Sequence, residues 1–364
     1  MSAVSRRWLL VGAGAVALIG ASQLPEPAAA ARTVDAAELR RRISAQAVPY
    51  VGYAESTAQL GLPEIPQLAS VVMLLTGTTR IRANVAAPDR WRVDEVLIGG
   101  ERDTYRLGRT EYLWDFVANQ ATRVTGVAAF RLPRAGDLLP PDLARQLLSL
   151  APDDPVTAMP ARRVAGRDAV GLRLTPSDPQ TTVGRVDVWA DPASALPLRV
   201  EVAPRAGRTV LTTEFLELDE RAPDPAVLRP PVPAGANKVT TRAVDLSGAL
   251  RVLNPPPPPD VLAGRRRVEP AGEQLAGVGV YGSGLAAFVL VPCGRDIADQ
   301  AVANAAVVGG TPVEVPSGTA AVVGTTLLSV GVRTRGRTGS LLVGAVPPDV
   351  LRQALVDLPS RRRA

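Results

Sequence analysis

Enzymatic chemistry needs groups that donate, accept or attack, and the 364 residues of this chain include no histidine. That removes Ser-His-Asp and Cys-His nucleophilic pairs, histidine general bases and histidine metal ligands. The single cysteine, Cys293, can build neither a thiolate metal site nor an intramolecular disulfide. Lys238, the only lysine, has no Ser-x-x-Lys arrangement before it. What remains are neighbouring carboxylates: Asp94 with Glu95, Asp153 with Asp154, and Asp219 with Glu220. Carboxylate pairs do acid–base work only at set separations, and nothing in the sequence imposes one, so they read as surface groups. Gly277–Gly282 satisfies G-x-G-x-x-G, yet that motif holds a dinucleotide only between a strand and a helix. Here it falls within a strand–turn–strand segment. Ser283 lies between two glycines without the G-x-S-x-G spacing, and reads as a turn residue. These residues point away from an enzyme, and they require no cofactor and no metal.

Two apolar groupings are better suited to binding. Tyr112, Trp114 and Phe116 recur at period two, which sets them on one face of a strand against Glu111 and Asp115. Leu60, Leu62, Ile65, Leu68, Val72 and Leu75 belong to an apolar stretch over 60–75, broken by Pro63 and Pro66. Each set reads either as core or as the wall and flap of a cavity for an apolar ligand. Those nine side chains are the candidate ligand-binding residues.

The formal charge is +6, and almost all the cations are arginine. Arg40–Arg42, Arg265–Arg267 and Arg361–Arg363 are short, scattered and free of interleaved aromatics, so they read as solvated faces rather than a nucleic-acid footprint. The first thirty residues read as an export signal. Arg6 and Arg7 precede an uncharged run from Trp8 to Ile19, shorter than the ~20 residues that span a bilayer. Ala28–Ala31 offer small residues for cleavage. Ser5-Arg6-Arg7-Trp8-Leu9-Leu10 also has the form of a twin-arginine signal. Cleavage would release the protein outside the cytoplasmic membrane; an uncleaved signal would hold it at that membrane's outer face. No cysteine lies near the cleavage site, which excludes lipid attachment there.

The elements that must position the candidates are mostly strands. Asp35 with Glu38 has capping-box spacing, and Leu39 and Ile43 then share a helical face. Alternation marks strands at 51–56, 79–85, 91–94, 112–116, 170–174 and 186–202, the last a hairpin turning at Asp191–Ser194. Leu68–Leu75 suits a short helix. Leu138–Leu150 suits another, with Leu143, Leu147 and Leu150 as its apolar stripe. Such a series predicts an antiparallel sheet with one face covered and the other wet. Five consecutive prolines, Pro255–Pro259, followed by Arg265–Arg267, predict a spacer. The expected organisation is an export signal over 1–30, a large domain over 31–250, a Pro/Arg-rich linker over 251–268 and a small α+β domain over 269–360. In that last domain, strands at 278–291, 318–323, 326–332 and 340–346 surround a helix over 296–306, and a helix from Pro347 closes it.

Tyr50-Val51-Gly52-Tyr53, Thr79-Arg80-Ile81-Arg82, Arg90-Trp91-Arg92-Val93-Asp94 and the hairpin from Val188-Trp189-Ala190-Asp191-Pro192 to Leu196-Pro197-Leu198-Arg199-Val200 resemble the outer-membrane lipoprotein carriers (LolA-like). Pro230–Ala236 resembles the way that domain closes. Val280-Tyr281-Gly282-Ser283-Gly284-Leu285-Ala286 and Val343-Gly344-Ala345-Val346-Pro347 resemble the hairpin and final turn of the periplasmic sigma-E regulatory proteins (RseB/MucB type). The domain order is that of the regulators. The resemblance implies a mainly β, α+β fold: a LolA-like antiparallel half-barrel with covering helices plus a small C-terminal α+β domain. It also implies two partners, a lipid or lipoprotein acyl chain and the extracytoplasmic domain of an anti-sigma factor. The alternative it leaves open is a lipid or lipoprotein carrier of the cell envelope.

Overall fold

The computed structural model describes residues 34–45, 47–61, 69–126, 133–231, 235–242, 250, 253–269 and 275–359. The export signal, Leu62, Ile65, Leu68, Arg361–Arg363 and part of the Pro230–Ala236 stretch lie outside them.

The first element of the described residues is α1 (Ala36–Ala45), capped by Asp35, whose Oδ1 accepts from the Ala37 amide at 2.8 Å. Leu39 and Ile43 are fully buried. After β1 (Tyr50–Ala58) comes α2 (Ala69–Thr76), then five strands: β2 (Thr78–Ala87), β3 (Arg90–Leu97), β4 (Gly100–Leu107), β5 (Thr110–Asp115) and β6 (Gln120–Thr125). A 3-10 turn (Ala135–Leu138) leads into α3 (Pro140–Leu150). The strands then resume as β7 (Val156–Val164), β8 (Arg167–Leu174), β9 (Val183–Ala190), β10 (Pro197–Pro204), β11 (Leu211–Asp219) and β12 (Asn237–Arg242).

These twelve strands form one open sheet in the order β12-β6-β5-β4-β3-β2-β1-β11-β10-β9-β8-β7. Every pairing is antiparallel except β12 on β6. The fold class is therefore the expected one: mainly β, an open antiparallel sheet with helices over one face. Alternation explains the registers. Thr79, Ile81 and Ala83 of β2 point inward between exposed Thr78, Arg80 and Arg82. Leu172, Val188 and Val200 sit on consecutive register positions of β8, β9 and β10, all buried. In the β9–β10 turn, Asp191 accepts from the Ala193 and Ser194 amides at 2.8 and 3.1 Å, an Asx arrangement that reverses the chain.

The helices lie over the inner face. Arg40 of α1 donates to the Leu148 and Ala151 carbonyls at the end of α3, satisfying groups the helix leaves open. The apolar stripe of α3 differs from the expected one. Pro140, Pro141, Ala144 and Leu148 are buried, Leu143 and Leu147 are half-buried, and Leu150 is exposed. The helix starts at Pro140, with its prolines in the first turn. Pro140, Ala144 and Leu148 at four-residue spacing form the buried stripe, and Leu150, two residues past Leu148, faces away from it.

A second sheet holds the C-terminal unit: β13 (Val261–Leu262), β14 (Arg265–Val268), β15 (Gly279–Tyr281), β16 (Phe288–Gly294), β17 (Thr311–Pro312), β18 (Ala320–Gly324), β19 (Ser329–Arg335) and β20 (Thr338–Gly344). Its order is β13-β14-β15-β16-β20-β19-β18-β17. Two helices, α4 (Arg295–Val307) and α5 (Pro348–Asp357), pack on it. Residues 261–268 thus belong to this sheet rather than to a spacer. Arg267 pairs in register with Tyr281, and the Arg265 guanidinium donates to the Ala286 carbonyl at 2.7 Å. Arginine stems cover apolar surface while their heads find partners, so a run of three fits a strand as well as a solvated linker. The Thr181 hydroxyl meets the Leu285 and Ala345 carbonyls, both at 2.9 Å, and joins the second unit to the first.

Candidate functional site

Between the inner face of β1–β5 and the 3-10 turn with α3 lies a cavity of about 400 Å³. Cross-strand register decides which side chains reach it. Val85, Trp91 and Glu111 share one row across the sheet, and Val93, Thr104 and Leu113 share the next. All six line the cavity, with Leu74 of α2 and Leu139 before α3 adding apolar wall. The charged groups in the lining are matched. Glu95 pairs with Arg102 at 3.3 Å. Glu111 accepts from Arg106 at 2.9 Å and from Arg134 at 2.7 Å. Burial pushes the Glu111 carboxyl up, but Arg134 and Arg106 outweigh it and hold the group below its ordinary value. Arg134 also donates its amide to Asp137 at 2.8 Å, closing the 3-10 turn. The buried Thr213 hydroxyl donates to the Leu138 carbonyl at 2.7 Å and pins the same turn to β11. The roof is fastened at both ends.

The nine candidate residues are spread more widely. Leu60 is buried in the main core and Leu75 is half-buried against it. Val72 is buried on α2, close in sequence to the cavity-lining Leu74. Tyr112 and Trp114 project from the face of β5 opposite Glu111 and Leu113, so they back the cavity wall and do not line it. Phe116 falls beyond the end of β5 and is 57% exposed, so the expected three-residue aromatic face is a two-residue one. Leu62, Ile65 and Leu68 lie outside the described residues. Sequence reasoning missed Trp91, Val93, Leu113 and Leu139. The signal available was the alternation in 91–94, whose apolar positions do face inward.

The outer face carries its own buried cluster. Arg92 donates to Asp94 at 2.6 Å and to Asp103 at 3.0 Å, and its guanidinium lies 5.1 Å from the Tyr105 ring centre. The Tyr105 hydroxyl donates to Asp103 at 3.2 Å. Burial, reinforced by the Asp94 charge, pushes Asp103 up to about 6. One arginine serves two buried carboxylates, which makes this a structural cluster sensitive to pH. A second depression of about 660 Å³ lies on the outer face of β1, β2 and β11. It is larger, but it is open and bordered by Arg82, Glu217 and Asp219, which suits an apolar ligand poorly. Among the described residues there is no cluster of three metal-ligating side chains, and no helix is long and apolar enough to cross a membrane.

Residues 118–237, about a third of the chain, match the MucB/RseB N-terminal domain family. Among solved structures, the chain is similar to the MucA/MucB complex of Pseudomonas aeruginosa: 19% identity, 90% of this chain and 100% of that chain covered, TM-score 0.50. That likeness establishes the shared fold. More distant similarities include a LolA superfamily protein of Nitrosomonas europaea (14% identity, 54% and 99% covered, TM-score 0.25). Lipoprotein LppX of Mycobacterium tuberculosis is another (13% identity, 51% and 97% covered, TM-score 0.30). No curated protein sequence matches the chain.

Proposed function

We propose, from a MucB/RseB N-terminal domain in a chain with the MucB fold, that this protein is an exported, non-enzymatic regulator of an envelope-stress sigma factor. It binds an apolar ligand, a lipid or lipoprotein chain, inside the large sheet, and it binds the extracytoplasmic domain of an anti-sigma factor. The observation that carries the ligand half is the cavity of about 400 Å³, walled by Leu74, Val85, Trp91, Val93, Leu113 and Leu139 and closed by a fastened roof. Its volume falls in the range of small-molecule sites, ~300–1,000 Å³. Its charged groups already hold one another, so the vacant space favours apolar matter. The partner half is supported by the pairing of MucB with MucA in the similar structure. Binding without turnover fits a chain that has no histidine and one cysteine.

A carrier of lipid or lipoprotein is the competing reading. The second sheet favours the regulator, because a carrier alone does not require it. The test is a pull-down of the protein, lacking residues 1–30, against extracytoplasmic domains of anti-sigma factors, alongside mass spectrometry of co-purified lipid. The proposal expects an anti-sigma partner at micromolar concentration. Transfer of lipid between membranes with no such partner would overturn it in favour of the carrier.

A further inference from the structure

Tyr50, the first residue of β1, is 2% exposed and sits edge-on to Phe215, ring centres 5.4 Å apart. It lines the cavity, and its hydroxyl is buried with no hydrogen-bond partner among the described residues. Buried polar atoms in folded proteins nearly always find a partner, and each exception needs an explanation. Six such atoms occur among the described residues, and Tyr50 is the one of their residues that lines the cavity. Burial, with the nearby Asp142 charge adding to it, holds the phenol well above its ordinary value, so the group stays protonated and can donate. Asp142 and Arg145 of α3 also line the cavity and act electrostatically on Tyr50, so its hydroxyl lies toward a polar part of the wall.

The volume limits what can enter. A methylene fills roughly the ~30 Å³ share of a liquid water molecule. A space of about 400 Å³ then accommodates one chain of about thirteen carbons. Two or three chains of that length do not fit.

We propose that the cavity takes a single acyl chain whose carbonyl or carboxylate oxygen accepts a hydrogen bond from the Tyr50 hydroxyl. This rests on the apolar-ligand reading above and narrows it to monoacyl ligands. A free fatty acid and a monoacyl phospholipid share that chemistry.

Calorimetric titration of the delipidated protein with myristate, monomyristoyl phosphatidylglycerol and dimyristoyl phosphatidylglycerol tests it, alongside Tyr50→Phe. One or both single-chain probes bind one per protein, and the diacyl lipid binds at least about tenfold more weakly. Binding of myristate alone identifies the carboxylate as the acceptor, and binding of the monoacyl phospholipid identifies an ester. Removing an unmatched hydroxyl leaves the fold intact, so Tyr50→Phe keeps the wild-type melting temperature or raises it. It weakens single-chain binding by about five- to tenfold if the acceptor is an ester and by more than about tenfold if it is a carboxylate, the loss of one hydrogen bond to a neutral or a charged acceptor. Diacyl binding as tight as monoacyl binding overturns the one-chain assignment and leaves the apolar-ligand reading standing. Unchanged affinity in Tyr50→Phe overturns the anchor. Failure of all three probes overturns the apolar-ligand reading itself.

Discussion

Arg134 and Glu111 meet at 2.7 Å, and that pair joins the turn roofing the cavity to the strand that walls it. Arg134 precedes the 3-10 turn and Glu111 lies on β5, so the contact spans 23 residues. The Arg134 side chain is 35% exposed, which weakens the pair through solvent screening. Arg134→Ala is expected to cost about 1 kcal/mol, a fall of roughly 2–4 °C in Tm for a domain of this size. Ligand should also dissociate faster, because the roof loses one fastening. Thermal melting with a stopped-flow displacement measurement checks both; an unchanged off-rate would show that the roof does not gate the cavity.

Trp114 separates packing from binding. It is 8% exposed on the outer face of β5, in register with Asp103 and Ala121 and away from the cavity. Trp114→Ala should therefore destabilise the fold by ~3–5 kcal/mol and leave ligand affinity of the folded protein at the wild-type value. A melting curve and a fluorescent-lipid titration on the one variant read both quantities. Loss of affinity without loss of stability would return Trp114 to the binding site.

The outer cluster predicts a pH effect with a definite sign. Asp103 titrates near 6 in the folded protein against an ordinary 3.8, so the fold favours its protonated form. The stabilising contribution of that proton is complete below about pH 4 and is lost as pH rises through about 6. At pH 7.5 Asp103→Asn should raise stability by about 2–3 kcal/mol, because each tenfold change in proton affinity corresponds to ~1.4 kcal/mol. The gain should vanish near pH 4. Urea unfolding of both proteins across that range decides it, and a gain that persisted at acid pH would mean the charge is not its cause.

Legibility in the sequence followed how locally each feature is encoded. Leu172, Val188 and Val200 announce their strands by strict alternation, and Asp191 announces the hairpin turn, because both depend on neighbours. The capping of α1 by Asp35 is equally local. The cavity wall was hidden because alternation assigns charged positions to solvent, whereas Glu111 faces inward and Asp103 is buried outside. What permits Glu111 to face inward is Arg134, a partner supplied from a distant turn. The same logic misdirected the aromatic reading: Tyr112 and Trp114 oppose Glu111 on β5, and the charged side turned out to be the cavity side. Arg265–Arg267 read as a spacer since the strand that pairs with Arg267, at Tyr281, lies beyond an intervening segment.

Whether an apolar ligand occupies the inner cavity can be measured by plugging that cavity at Gly136, which lines it from the 3-10 turn. A Cβ added there would lie 3.6 Å from Val93, an ordinary contact, so a longer side chain is tolerated at its root and must occupy the space beyond. Titrating a fluorescent fatty acid into wild-type protein and Gly136→Leu compares an open cavity with a plugged one. Binding inside the cavity predicts a wild-type Tm with affinity at least about tenfold weaker, the ~1.4 kcal/mol that excluding part of the chain removes. Wild-type affinity in a folded Gly136→Leu protein would contradict it and move the ligand elsewhere.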